Sequence, residues 1–509
     1  MMKTATSLLI VLSLCSGAAR SQEHQHAEPE KLGKVVFPTT CAARVQESFN
    51  RAVALLHSFT YRPAAEAFRK VSSEDPGCAM SHWGVAMSYY HQLWEPALPG
   101  DALQQGRAEL DLAKKAANTS AREQEYIAAA ALVFNEDAGK YPARAAKYRD
   151  AMAVLAQHYP QDPEAQVFYA LALLSTASPQ DKTHQNQKAA AKILTPLYAK
   201  YPQHPGLAHY IVHACDNAEL AAQGEKAARE YGQIAPSAPH ALHMPSHIFT
   251  RLGLWSDSVR MNQAARAAAR KEGDTGEELH AMDYMVYARL QQDRVADVAA
   301  LLQELKGMGS IKGSETKAHY AATAMPVRYA VERKQWKEAA QCSATEGAPP
   351  HVNAMAAWAR ALGHARAGET DAAKIEAETL RKLADQLQTA GNLYWSGQVQ
   401  IQFQEASAWI AWAEHKPEEA LATMRSAADS EDAVEKLPVT PGPVVPAREQ
   451  LGDMLQLAGQ PAAALAEYER SLKDSPGRRG ALQGALKSSR DAGLSPKVAY
   501  YQALLQKQN

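Results

Sequence analysis

Along most of the chain small and apolar residues recur three and four positions apart, the spacing that gathers them on one stripe of an α-helix. Ile211, Ala214, Cys215 and Ala218 form such a stripe, with His209, His213 and Asp216 on the opposite side. Pro245, Ile248, Phe249 and Leu252 form another, opposite His243 and His247. The two stretches share a phase at a shift of 34 residues, so each predicts a helix with one packed face and one polar face. A second pattern, Ala followed four residues on by a large residue and twelve on by Pro, occurs as Ala64/Phe68/Pro76, Ala151/Leu155/Pro163, Ala227/Tyr231/Pro239 and Ala464/Tyr468/Pro476. The small Ala lets the two helices of a hairpin cross closely, the large side chain fills the gap, and Pro is suited to starting the next helix.

This period and these residues resemble the tetratricopeptide-repeat (TPR) family over about half of the chain. Tyr159 to Pro163 and Tyr201 to Pro205 repeat one another as hairpin ends, and His82, Val85, Ala86 and Tyr89 match the family's first helix, with His82 where Trp is usual. The resemblance implies an all-α fold, a TPR-like superhelical solenoid of antiparallel helix pairs. Its first helices would line a concave groove suited to a peptide or protein partner. The expected order is a solenoid over 41–436 with an out-of-register insertion at 95–150, a proline-rich extended connector at 437–446, and C-terminal capping repeats over 447–509. Helix pairs are expected over 310–432, with Trp336, Trp358, Trp395, Trp409 and Trp412 on apolar stripes. Glu431, Asp432, Glu435 and Lys436 read as a solvated charged turn.

Composition changes this picture at the N-terminus. Lys3, the apolar run Leu8 to Leu14 and the small residues Ser16 to Ala19 read as an export signal over 1–21, followed by a flexible segment over 22–40. The expected location is therefore periplasmic or secreted. No later apolar run approaches membrane-spanning length. The net charge of −1 becomes about −3 once Lys3 and Arg20 leave, which offers nucleic acid no attraction. Of five cysteines Cys15 leaves with the signal; Cys41 and Cys78 are placed to bridge the first hairpin of an exported chain, and Cys215 sits on an apolar face.

The chemistry is carried by histidine. His209, His213, His243 and His247 occupy the groove-lining phase of neighbouring first helices, whose axes pack roughly 8–10 Å apart, so imidazoles reaching from both sides can converge on one ion. Asp216 would complete the shell or orient a ligand imidazole. His240 starts the second helix, and a three-residue insertion in the Lys271 to Gly276 loop would bring His280 and Tyr284 into the phase of His243 and His247, with Asp283 on the rim. The candidate metal set is His209, His213, His243, His247, Asp216, His240 and His280, for a transition metal ion (copper, zinc or iron). His57, His158, His351 and His364 need no more than ordinary hydrogen bonds. Metal-dependent catalysis is one use of such an ion, with Asp216, Asp283 or Tyr284 moving protons. The other reading is a metal-free scaffold that holds a peptide or partner protein in the groove. His209 and His213 lack the adjacent Glu of a zincin helix, and no G-x-S-x-G, Walker loop, G-x-G-x-x-G or C-x-x-C is present. Cleavage after Ser21 would make His24 the third residue, a position suited to Cu(II), with His26 beside it.

Overall fold

The computed structural model describes residues 30–93, 98, 100–135, 140–309 and 316–508. The export signal, His24, His26 and the start of the insertion at Glu95 and Pro96 lie outside them. Every regular element among the described residues is helical, and consecutive helices pack as hairpins while alternate helices stack on one another. The chain is an all-α, TPR-like superhelical array of antiparallel helix pairs, a framework that supplies extended binding surfaces. No described helix is long and apolar enough to cross a membrane.

The packing follows from the repeated residues. Ala64, Ala227 and Ala464 are buried at the hairpin crossings. Phe68 lies so close to Gly84 that a β-carbon there would meet its ring at 2.4 Å, and Tyr468 is wedged in the same way between Gly452 and Gly484. Each large residue thus fills the space between its own hairpin and the next. Proline behaves less uniformly than its spacing suggests. Pro163 and Pro239 stand in the first turn of a helix, whereas Pro76 and Pro476 lie in the turns before Ala79–Met87 and Arg479–Asp491.

The core among the described residues divides into one large cluster drawn from Leu32 to Phe249, another from Tyr320 to Tyr501, and two smaller ones, from Leu279 to Met325 and from Trp255 to Ala288. Three sequence expectations need correction here. From Lys31 the segment expected to be flexible is packed: Phe37 is fully buried against Phe49, Trp83 and Tyr126, and Gly33, at φ 83°, brings the backbone close enough for Lys34 N–H to donate to the Gln203 carbonyl at 2.8 Å. The charged residues at 431–436 are not a solvated turn. Glu431 accepts from the Ala447 N–H, Asp432 pairs with Arg448, Glu435 with Arg251 and Lys182, and Lys436 with Asp216. Finally, residues 437–446 are non-helical as expected but are no free connector, since Thr440 and Val444 are buried and the segment is laced to the Thr316–Glu332 helix through Arg328.

Cys41 and Cys78 are bridged, closing the first hairpin onto the segment before it, and Cys215 is buried. With the cysteines 37 positions apart, loss of the cross-link is expected to cost up to about 4 kcal/mol through the entropy it removes from the unfolded chain. Denaturant melts of the Cys41→Ser/Cys78→Ser protein measure this. A change below about 1 kcal/mol would mean that the unfolded chain is already restrained there.

His351 supplies a pH-dependent term. Its ring is buried, stacks on Trp395 at 4.2 Å, and has no hydrogen-bond partner for Nε2 among the described residues. Burial pushes its pKa down to about 4. Because the unfolded chain takes up the proton first, the stability due to neutral His351 is complete above about pH 6.5 and is lost as pH falls toward 4, amounting to about 2 kcal/mol at pH 5. His351→Phe is expected to flatten that part of the stability profile. Parallel slopes for both proteins between pH 7 and 5 would contradict it.

Candidate metal centre

The histidines lie where the cores meet. His209 and His213 come from Pro205–Cys215, His240 and His243 from Pro239–His243, His247 from Pro245–Arg251, and His280 from Thr275–Gln291. Pro245 interrupts the second of these helices, yet Met244 keeps helical dihedrals (φ −52°, ψ −36°), so His243 and His247 still share a face. All six imidazoles are buried, the most exposed being His213 at 9%.

They do not converge as one four-histidine shell. Each i, i+4 pair recruits a third histidine, giving His209/His213/His240 and His243/His247/His280, in each of which one ring nitrogen per residue lies within 4.8 Å of the others. The sets adjoin: ring centroids are 6.3 Å apart between His240 and His243 and 6.5 Å between His213 and His247. Within the pairs the Nε2 atoms stand 3.1 Å (His209, His213) and 3.0 Å (His243, His247) apart. Two nitrogens bound to one ion at about 2.0–2.1 Å stand roughly 2.9–3.4 Å apart for ligand angles between a right angle and tetrahedral. The observed spacing falls inside that window.

Neighbouring groups fix which ring nitrogen carries hydrogen. A carbonyl only accepts, so His209 Nδ1–H donates to the His57 carbonyl at 2.6 Å. Asn262 donates its amide to the Ser258 carbonyl and thereby turns its oxygen toward His243 Nδ1–H at 2.7 Å. His247 Nδ1–H donates to Asp216 at 2.9 Å. Asp216 thus stands behind the His247 ring, on its Nδ1 side, and Arg251 and Lys436 hold it in place, each at 2.9 Å. Burial alone would raise its pKa, but Lys436 and Arg251 keep the carboxyl well below the usual carboxylate range. The outcome is that His209, His243 and His247 all present Nε2 as a bare lone pair, and in the second set two such lone pairs face each other at 3.0 Å. Burial pushes the His243 imidazole down to about 3 and lowers His247 too, although the Asp216 carboxylate pulls His247 the other way.

Several residues of the site left no mark in the sequence. His57, expected to be an ordinary core imidazole, is fully buried and hydrogen-bonded, but its carbonyl orients His209. His57 and His204 each bond to Glu164 at 2.8 Å. This group has the composition of a metal site, yet His204 Nδ1 accepts the Leu207 N–H, so its Nε2 carries hydrogen and donates to Glu164. His57 is held between Glu164 and the Tyr210 hydroxyl at 3.0 Å. The group is a completed hydrogen-bond hub. Phe59, at φ 55° in a region costly for a bulky side chain, lays its ring 4.4 Å from that of His209 and 5.6 Å from that of His240.

Tyr284 and Asp283 divide in role. The Tyr284 hydroxyl lies 3.3 Å from His247 Nε2 and donates to the Pro438 carbonyl, so the 437–446 segment lies against this side of the histidine cluster. Asp283 instead pairs with Arg328 at 2.8 Å, both side chains fully buried. Glu277 lies 4.0 Å from His240 Nδ1 and is paired with Lys317 at 2.8 Å. The histidines expected to line an open groove are instead buried, with the Pro438 carbonyl against the Tyr284 hydroxyl beside them.

No protein-family model matches the chain, and no curated protein matches it. Among solved structures it is similar to the APC/C hetero-tetramer Cut9–Hcn1 (11% identity, TM-score 0.28, covering 92% of this chain and 94% of that one). It is also similar to a monomeric mutant of IFIT1 with Gppp-AAAA (11% identity, TM-score 0.35, 89% and 95%) and to Naa15/Naa10 bound to HypK (12% identity, TM-score 0.25, 90% and 62%). Scores this low leave the fold to be read from the chain's own helices.

Proposed function

We propose that this protein is an exported metal-binding helical-repeat protein whose two adjoining tris-histidine sets each hold one first-row transition ion. The observation that carries the reading is the pair of Nε2 lone pairs of His243 and His247, 3.0 Å apart in a buried site, with both Nδ1–H groups already committed to Asn262 and Asp216. Two facing acceptors repel, and a shared cation turns that repulsion into coordination. Imidazole suits zinc, copper and iron alike, and three protein ligands leave room for a further ligand or for reaction chemistry at the ion. The Tyr284 hydroxyl, 3.3 Å from His247 Nε2, is the group placed to pass a proton at such a position.

Export rests on the pattern of residues 1–21 and is supported by the Cys41–Cys78 bridge, a bond that persists in oxidising compartments. N-terminal sequencing of protein from separated cell fractions tests that part, and Met1 intact in the cytosol would overturn it. The metal reading is tested by elemental analysis of protein purified without a histidine tag or chelator, then dialysed against zinc, copper or ferrous iron. Bound metal that survives gel filtration is the expected result; none after all three dialyses would end the proposal.

A further inference from the structure

Resting on the two-site reading, the charges around the histidines say more about what they would hold. We infer that the centre takes copper as a pair of cuprous ions, one per tris-histidine set, in preference to divalent metal. All the protein ligands are imidazoles, which are neutral when they coordinate. The two carboxylates adjoining the rings are already matched by cations: Asp216 by Lys436 and Arg251, and Glu277 by Lys317. Asp283, next in the chain to Tyr284, is matched by Arg328. No carboxylate among these is left over to offset the charge of an incoming ion, and a buried charge without compensation is costly.

Two divalent ions would bring four positive charges into this region, and two cuprous ions bring two. Mutual repulsion scales with the product of the charges, so it is about four-fold smaller for the cuprous pair at any given separation. Coordination number points the same way. Zinc is almost always four-coordinate and would need a water or anion beside its three histidines, whereas a monovalent copper ion is satisfied by three nitrogens. Five of the six rings are no more than 5% exposed, and Phe59, Tyr231 and Tyr284 stack on or abut them, so a fourth position is shut off from bulk water, which disfavours the permanent water or anion that zinc would need.

The test uses the full mature chain under anaerobic, reducing conditions. Cuprous ion is supplied as its acetonitrile complex in competition with bathocuproine disulfonate, and zinc in parallel in competition with a chromophoric zinc chelator of matched strength. The expected result is about two copper ions withheld per chain, with X-ray absorption showing three-coordinate Cu(I), and zinc lost to its chelator. A charge-altering variant makes the argument independent of any ligand. Lys317→Met leaves the Glu277 charge unmatched and is expected to raise zinc retention relative to cuprous copper by on the order of ten-fold or more. Zinc held as well as or better than Cu(I) by the wild type would overturn the inference while leaving the metal-site reading intact. So would an unchanged preference in Lys317→Met. Retention of neither metal would overturn both.

Discussion

Protein carrying His213→Ala together with His247→Ala is expected to lose all tightly held transition metal while keeping its helix content. His213 belongs to the first tris-histidine set and His247 to the second, so the pair of changes leaves two ligands in each. A chelate reduced from three protein ligands to two falls short of the three that even an open catalytic site provides. Neither ring belongs to the apolar stripes that pack the hairpins, which are carried by Ile211, Ala214, Ile248 and Phe249. The far-UV circular dichroism should therefore match wild type. His364→Ala provides the control, because His364 pairs with the exposed Glu369 and touches none of the six rings. Retention of metal by the double variant, with dichroism intact, would show that the metal sits elsewhere.

Arg328→Met is expected to cost about 3–5 kcal/mol, a large part of the roughly 5–15 kcal/mol that holds a typical domain folded. The guanidinium is fully buried, binds Asp283 through Nε at 2.8 Å and Nη2 at 3.3 Å, and reaches the Gly442 and Pro443 carbonyls at 3.2 and 3.3 Å and the Thr440 hydroxyl at 3.0 Å. Removing it strands a buried carboxylate and releases the proline-rich segment from the Thr316–Glu332 helix. Methionine fills much of the volume, so the loss is electrostatic rather than a cavity effect. The double variant Arg328→Met/Asp283→Leu should recover much of the stability, since two apolar groups leave no charge unpaired. Urea melts of the two single variants and the double variant read this directly. A single-variant loss below about 1 kcal/mol would mean that water reaches Asp283 once the arginine is gone.

The helices and their pairing were legible because each hairpin repeats a small residue, a large residue and a proline at fixed spacing, and that spacing is set by how closely two helices can cross. The groove-lining histidines were legible for the same reason, since a shift of 34 residues preserves the facing of His209 and His213 onto His243 and His247. Even His280 followed once a three-residue insertion was allowed. The grouping was not legible. Whether His240 joins the pair before it or the pair after it depends on how neighbouring hairpins rotate against each other, and the helical period carries no information about that rotation. His57, Glu164 and His204 meet across 107 and 40 residues, so no local pattern announces them. Glu435 and Lys436 were misread because a run of charges looks alike whether it faces water or is matched by Arg251, Lys182 and Asp216 inside the fold.

The geometry separates one shared ion from two neighbouring ions, and a metal count on a single variant decides between them. His280 is a ligand only in the two-site arrangement. The account therefore predicts about two equivalents of metal on the wild-type chain and about one on His280→Ala, with the remaining ion held by His209, His213 and His240. One equivalent on the wild type, unchanged in His280→Ala, would contradict it and return the site to a single ion among His209, His213, His243 and His247.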